Sequence, residues 1–346
     1  MKAMLFSTLT DLNENPAPLT LTTLPVPRPG AGEVLLRVTV CGVCHTELDE
    51  IEGRTPPPHL PMVPGHQVVG RVVETGANVS GLTIGQRVGV AWIYSACGTC
   101  AFCRSGQENL CPDFRATGRD VFGGYAQYMV APADFVHPIP EPLHDSEAAP
   151  LLCAGAIGYR ALQLTNLRDG QALGLTGFGG SNHLVLKMAR HLFPHTPVFV
   201  FSRNPQEQEF ARTLGAVWAG AIEAEAPQPL DAIIDTTPVW KPVVESLKNL
   251  KPGGRLVINA IRKEASDRLE LARLDYATHL WLEKEIKSVA NVTRQDVRAC
   301  LALAATAGLC PEYQEYPLSE ANQALLDLKQ GKIRGAKVLV MPEEET

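Results

Sequence analysis

The sequence predicts an α/β protein that pairs a β-rich, partly closed barrel with a doubly wound parallel sheet. Three observations predict it. Up to about residue 150 the chain carries short β-branched runs punctuated by Gly and Pro. Beyond about residue 155, strand-like apolar runs alternate with helical stretches, the signature of a parallel sheet with crossover helices. The length of 346 residues suits about two domains rather than one core.

In the first region Val34–Val40 and Gln67–Val73 read as strands. Pro25 to Pro29, Pro56 to Pro58, Gly76, Gly81 and Gly85 read as turns. In the second, Ala172–Thr176 is a buried strand, followed by a Gly-rich turn and an apolar helix from His183 to His191. Val198–Phe201 is the next strand and Gln206 to Leu214 the next helix, with Asp231–Asp235 and Gly254–Ile258 continuing the series. Lys337 to Met341 is a last strand, placed to complete the barrel. The expected division is residues 1–154 with 292–346 for the barrel, and 155–291 for the parallel sheet.

Composition narrows the function classes. Hydrophobic residues make up 45% and charged residues 20%, enough for a large core. The net charge of −6, with no Lys/Arg block, argues against nucleic-acid and anionic-membrane partners. No apolar run reaches the roughly 20 residues of a membrane span. The N-terminus shows neither a long apolar stretch nor a cleavage site, so a cytoplasmic location is expected.

Nine cysteines are many for such a chain, and their positions favour metal binding over disulfides. Cys97, Cys100, Cys103 and Cys111 have the spacing C-x2-C-x2-C-x7-C within a lobe spanning residues 95–113. Four thiolates on one tight loop can close a tetrahedral shell around zinc with no open position, a structural site. An iron–sulfur cluster is the rival reading, since C-x2-C-x2-C and Cys111-Pro112 echo ferredoxin ligands. The seven-residue final gap and the lack of a second set of four favour zinc.

Two further segments, Cys41-Gly-Val-Cys-His-Thr-Glu47 and Pro64-Gly-His-Gln67, stand apart from that lobe, as does Leu151-Leu-Cys-Ala-Gly155. Together with the lobe, in this order and spacing, they resemble the zinc-containing alcohol dehydrogenases of the medium-chain dehydrogenase/reductase superfamily, over essentially the whole chain. The resemblance implies a GroES-like barrel beside a Rossmann domain. It implies a catalytic zinc held by Cys44, His66 and Cys153, with a fourth position left for substrate. Such a zinc acidifies an alcohol or polarises a carbonyl, so that a hydride passes between substrate and nicotinamide. Catalytic roles follow for Thr46 as the proton-accepting hydroxyl, for Glu47 as the carboxylate orienting His66, and for His45 near the cofactor pyrophosphate. Cys41 is left as a core thiol. The chain departs from many members at Asp49, where they carry a relay histidine, and at Gln67, where they carry Glu.

Leu175-Thr-Gly-Phe-Gly-Gly-Ser-Asn182 follows a strand and opens a helix, the context of a dinucleotide turn. Gly177 makes the tight turn, while Gly179, with Gly180 and Ser181, lets the backbone approach a pyrophosphate. Asn182 replaces the third glycine and is expected to loosen the packing of helix on sheet. Ser202 stands where NAD-preferring sites carry an acid, and Arg203 follows it. Two zincs and NAD(P)(H), leaning to NADP(H), are therefore expected. Asn259, Ala260, Asn291, Val292 and Arg334 are softer candidates for the cofactor, and Trp92 for the substrate wall. Small alcohols, aldehydes or ketones are the expected substrates, and a tetramer or dimer the expected assembly. A zinc-free enone reductase and a non-catalytic NAD(P) sensor are the rival functions.

Overall fold

The computed structural model describes residues 1–331 and 335–343. The chain forms two compact units, one of Met1–Cys153 with the segment from Val292 onward, the other of Ala154–Asn291.

The first unit is built on the long strand Glu33–Val43. It pairs antiparallel with Gln67–Thr75, with Tyr128–Pro132 and with Ala336–Val340. The seven-stranded sheet also takes in Arg87–Val90, Val136–Pro138 and Tyr313–Pro317. Register shifts at Leu35/Leu36 and Val38/Val40 bend the central strand, which lets one sheet curl around a core of Val34, Leu36, Val38, Val68, Val72, Val88 and Met129. The last strand returns from the far end of the chain to Val40–Val43 and so braces the segment that leads into Cys44.

The second unit is a six-stranded, wholly parallel sheet. In order of appearance its strands are Leu173–Thr176, Val198–Phe201, Trp218–Gly220, Leu230–Asp235, Leu250–Ile258 and Glu285–Ser288, arranged 3-2-1-4-5-6. That order reverses direction beside Leu173–Thr176, where a doubly wound sheet opens its ligand crevice. Leu173–Thr176 and Val198–Phe201 are buried along their whole length, as strands covered on both faces must be. The helix Asn182–Leu192 buries Leu184, Val185, Leu186, Met188 and Ala189. The strands Trp218–Gly220 and Glu285–Ser288 had no clear signal, the first because it is short, the second because all four of its residues are exposed and polar-rich.

Candidate metal centres and cofactor turn

The helix His45–Ile51 begins at Cys44, whose extended backbone makes it the N-cap. Cys44 Sγ accepts the Thr46 N–H at 3.3 Å, and Glu47 Oε2 reaches back to accept the Cys44 N–H at 2.8 Å. This reciprocal cap locks the first turn. The other oxygen, Glu47 Oε1, lies 2.5 Å from His66 Nδ1, and both side chains are fully buried. Glu47 therefore orients the imidazole while fixing the cysteine's own backbone.

His66 sits on the approach to the strand Gln67–Thr75. Gly65 before it has φ 102°, and a Cβ there would stand 2.3 Å from the Tyr125 ring, so only glycine fits. Cys153 lies in the wide helical turn Leu151–Gly155, between the helices Asp145–Pro150 and Ala156–Leu164. Such turns re-aim a side chain that a regular helix would bury elsewhere.

The ligand atoms of Cys44, His66 and Cys153 all lie within 4.8 Å of one another. His66 Nε2 is buried with no hydrogen-bond partner. The adjacent Cys153 sulfur and burial push the Cys44 thiol well above its usual range. Burial opposes a charged imidazole, yet Glu47 and Cys44 hold His66 well above its usual range. Two crowded sulfurs and an orphaned imidazole nitrogen converge on one point, and zinc suits that donor set. Cys41 is fully buried outside this group. Thr46 Oγ1 is 3.3 Å from Cys44 Sγ, whereas His45 is exposed. Asp49 is buried and its carboxylate accepts from Arg54 Nε at 2.5 Å. Glu50, buried with both oxygens unpartnered, is pushed well above the usual carboxylate range by burial and by Glu47. Nothing in the pattern of apolar positions had singled it out.

Cys97, Cys100, Cys103 and Cys111 also bring their sulfurs within 4.8 Å of one another, and none forms a disulfide. Cys97 and Cys103 Sγ are 3.9 Å apart. Four sulfurs around one tetrahedral zinc at 2.3 Å stand about 3.8 Å apart, so a single ion fits; a multi-iron cluster needs a wider cage. Backbone N–H groups of Cys100, Cys97 and Cys103 point at the Cys97, Cys111 and Cys100 sulfurs at 3.3–3.5 Å. The Thr99 amide and hydroxyl bring Cys97 down to about 6, and burial with Cys100 pushes Cys103 up to about 12. Glu108, inside the lobe, accepts from the backbone and the Nε of Arg294, at the start of the helix Arg294–Ala307.

In the second unit, Gly177 has φ 75°, and the strand turns there into the helix Asn182–Leu192. A Cβ at Gly179 or Gly180 would meet nothing within 4 Å, so these peptides border open space. Asn182 corrects the expectation of a looser junction. Its amide is fully buried and donates to the carbonyls of Thr176 at 3.1 Å and Gly177 at 2.8 Å, stitching helix to strand. Ser181 Oγ donates to the Ala154 carbonyl and receives Asn259 Nδ2 at 3.3 Å. Ser202 is buried at the end of its strand, and its hydroxyl donates to Glu207 Oε2 at 2.5 Å. Arg203 is exposed. Asn291 takes a left-handed backbone at φ 51°, with Nδ2 buried and unpartnered. Arg334 lies outside the described residues. A buried pair, Lys263 and Asp235 at 2.5 Å, closes the end of Leu230–Asp235.

Trp92 packs at 5.2 Å on Phe114, and the Arg119 guanidinium stands over both rings.

Residues 30–141 match the alcohol dehydrogenase GroES-like domain. The chain is 43% identical over 329 residues to a probable alcohol dehydrogenase of Mycobacterium tuberculosis, covering 94% of this chain and 93% of that one. It is 35% identical to an alcohol dehydrogenase of Geobacillus stearothermophilus over 92% of this chain and 94% of that one. A cobalt- and zinc-bound thermostable alcohol dehydrogenase from Pyrobaculum aerophilum superposes with a TM-score of 0.86 at 25% identity, covering 98% and 99% of the two chains. With its two cysteine-based donor clusters and its Rossmann strand order, this oxidoreductase belongs to the zinc-containing alcohol dehydrogenases of the medium-chain dehydrogenase/reductase superfamily.

Proposed function

We propose that Cys44, His66 and Cys153 hold the catalytic zinc and that Cys97, Cys100, Cys103 and Cys111 hold a structural one. The enzyme then moves a hydride between an alcohol or carbonyl substrate and NAD(P)(H). One observation carries this reading: three donors from distant parts of the chain converge within 4.8 Å, with the buried Nε2 of His66 left without a partner. When bound there, zinc supplies Lewis acidity, which eases loss of an alcohol's proton or polarises a carbonyl.

The protein's own groups do the rest. Glu47 holds His66 Nδ1 and so leaves Nε2 for the metal. Thr46 Oγ1, beside the Cys44 sulfur, is placed to accept the substrate hydroxyl proton. Asp49, where many members carry a relay histidine, is ion-paired with Arg54 Nε, whose Nη1 turns to Glu52. Gly177, Gly179, Gly180 and Ser181 open the N-terminus of an 11-residue helix to the pyrophosphate. The exposed Arg203 favours a 2′-phosphate and hence NADP(H); Ser202 is spent on Glu207. His45, Asn259, Asn291 and Arg334 complete the proposed cofactor contacts.

Metal analysis of protein purified without chelator tests the centres: about two zincs per chain are expected, and a zinc-free protein that still reduces aldehydes would overturn them. A kcat/KM comparison of NADPH with NADH tests Arg203, and a strong NADH preference sinks that part. The chain is also read as cytoplasmic and homo-oligomeric, a tetramer or dimer. Cysteines without disulfides suit a reducing compartment, and the exposed edge strand Glu285–Ser288 offers a surface for pairing. Light scattering gives the assembly size.

A further inference from the structure

The loop Thr117–Gly124 lies against the segment that presents His66. Gly123, Gly124 and Tyr125 donate backbone N–H groups to the carbonyls of Val63, Gly65 and Pro64 at 2.7–3.0 Å. A Cβ on Gly118 would stand 2.8 Å from the Gly65 nitrogen. Arg119 and His66 are each one chain step, about 3.8 Å, from that contact. Thr117 anchors the other side of the loop, donating its N–H to Trp92 and its hydroxyl to Ala91, both at 2.8 Å.

Arg119 is held in an unusual way. Its Nε and Nη2 form a fork on Asp120 at 2.9 and 2.7 Å, and Asp120 is itself fixed by the Ala116 N–H. The guanidinium lies 5.4 Å over the Trp92 ring and 5.7 Å over that of Phe114. The side chain keeps 25% of its exposure, and among the described residues its hydrogen bonds run from Nε and Nη2, both to Asp120. One edge of the guanidinium is thus spent on orientation; the other makes no hydrogen bond on its rigid aromatic base, though its charge also reaches the buried Glu50. A preorganised fork of this kind matches a carboxylate, because little side-chain freedom remains to be lost on binding. A surface arginine serving only solubility would need neither the aromatic base nor the fork.

We propose that Arg119 is a specificity-determining residue, and that the preferred substrates are alcohols or carbonyl compounds bearing a carboxylate away from the reacting oxygen. The inference rests on the reading of Cys44, His66 and Cys153 as the reaction centre.

The test uses a pair of equal shape, 4-formylbenzoate and 4-formylbenzamide, with the zinc-loaded enzyme. At low salt the wild type is expected to favour the carboxylate in kcat/KM by about tenfold or more. The preference should shrink as salt is raised. In Arg119→Gln the ratio should fall to about one, and Arg119→Lys should recover part of it, since lysine keeps the charge but not the fork. A ratio near one in the wild type, or the same ratio in wild type and Arg119→Gln, overturns the proposal. Calorimetric titration with benzoate and benzamide separates this inference from the reading beneath it. Arg119-dependent benzoate binding without turnover of either aldehyde would keep the anion subsite and discard the reaction centre. Benzoate binding that Arg119→Gln leaves unchanged places the carboxylate on the metal and sinks the proposal, whatever the turnover.

Discussion

The two candidate metal centres of the first unit reach similar donor convergence by opposite routes. The four-cysteine lobe is local: its sulfurs come from one short loop, and the loop's own N–H groups turn toward them. The Cys44–His66–Cys153 set is assembled from a helix cap, a pre-strand glycine turn and a widened helical turn. A closed local site can be a condition of its loop's folding, whereas an assembled site is held by a framework that folds for other reasons. The difference teaches that donor type alone does not tell a structural metal from a catalytic one. What tells them apart is whether the surrounding fold depends on the metal.

Substitutions can break that contrast. His66→Ala or Cys44→Ala should lower kcat/KM by roughly three orders of magnitude or more and remove one zinc, while the melting temperature moves by only a few degrees. Loss of the fold in both would erase the distinction. Cys103→Ser should instead lower Tm by about 10 °C or more, with activity falling only as folded protein is lost; a stable, inactive protein would reverse the assignment of the two sites. Glu47→Gln sharpens the comparison, because it touches no metal-binding atom. A loss of about 10- to 100-fold in zinc affinity or activity is expected, read by competition with a chelator, while Thr99→Val beside Cys97 should change chelator resistance much less.

The smallest effect concerns the frame around the lobe. Burial, with Arg298 and Arg294 nearby, brings His137 down to about 3. The unfolded chain takes up that proton below the ordinary value of about 6.5, and the folded chain does not. Stability from this group is therefore full above about pH 6.5 and is lost as pH falls from there toward 3. At pH 5 the loss should be up to about 2 kcal/mol. Denaturant melts of wild type and His137→Leu at pH 7.5 and 5 check it. If the two lose stability in parallel, His137 is not the cause.

Much of the fold was legible because it repeats along the chain. Val198–Phe201 coincides with the expected strand, and the neighbouring helices and strands shift by a residue or a few at their ends, where capping geometry rather than apolar period decides. The four-cysteine spacing was legible for the same reason: all its information is local. The resemblance to a family supplied what spacing could not, the grouping of Cys44, His66 and Cys153, and the structure brings those three together. The partners of Ser202 and Asn182 were not legible, because a side chain's partner cannot be inferred from its place in a motif. Glu207 turns one inward, and two strand-end carbonyls claim the other.

By itself the sequence determined the alternation of strand and helix, the tight turn at Gly177 and a four-thiolate loop, since each depends on residues a few positions apart. Only the tertiary structure decided that Arg54 holds Asp49, that Glu108 ties the lobe to Arg294, and that Arg119 lies over two aromatic rings. Polar partnership depends on distance and direction in space, and most of these contacts are set by strand register and loop packing that local pattern does not encode.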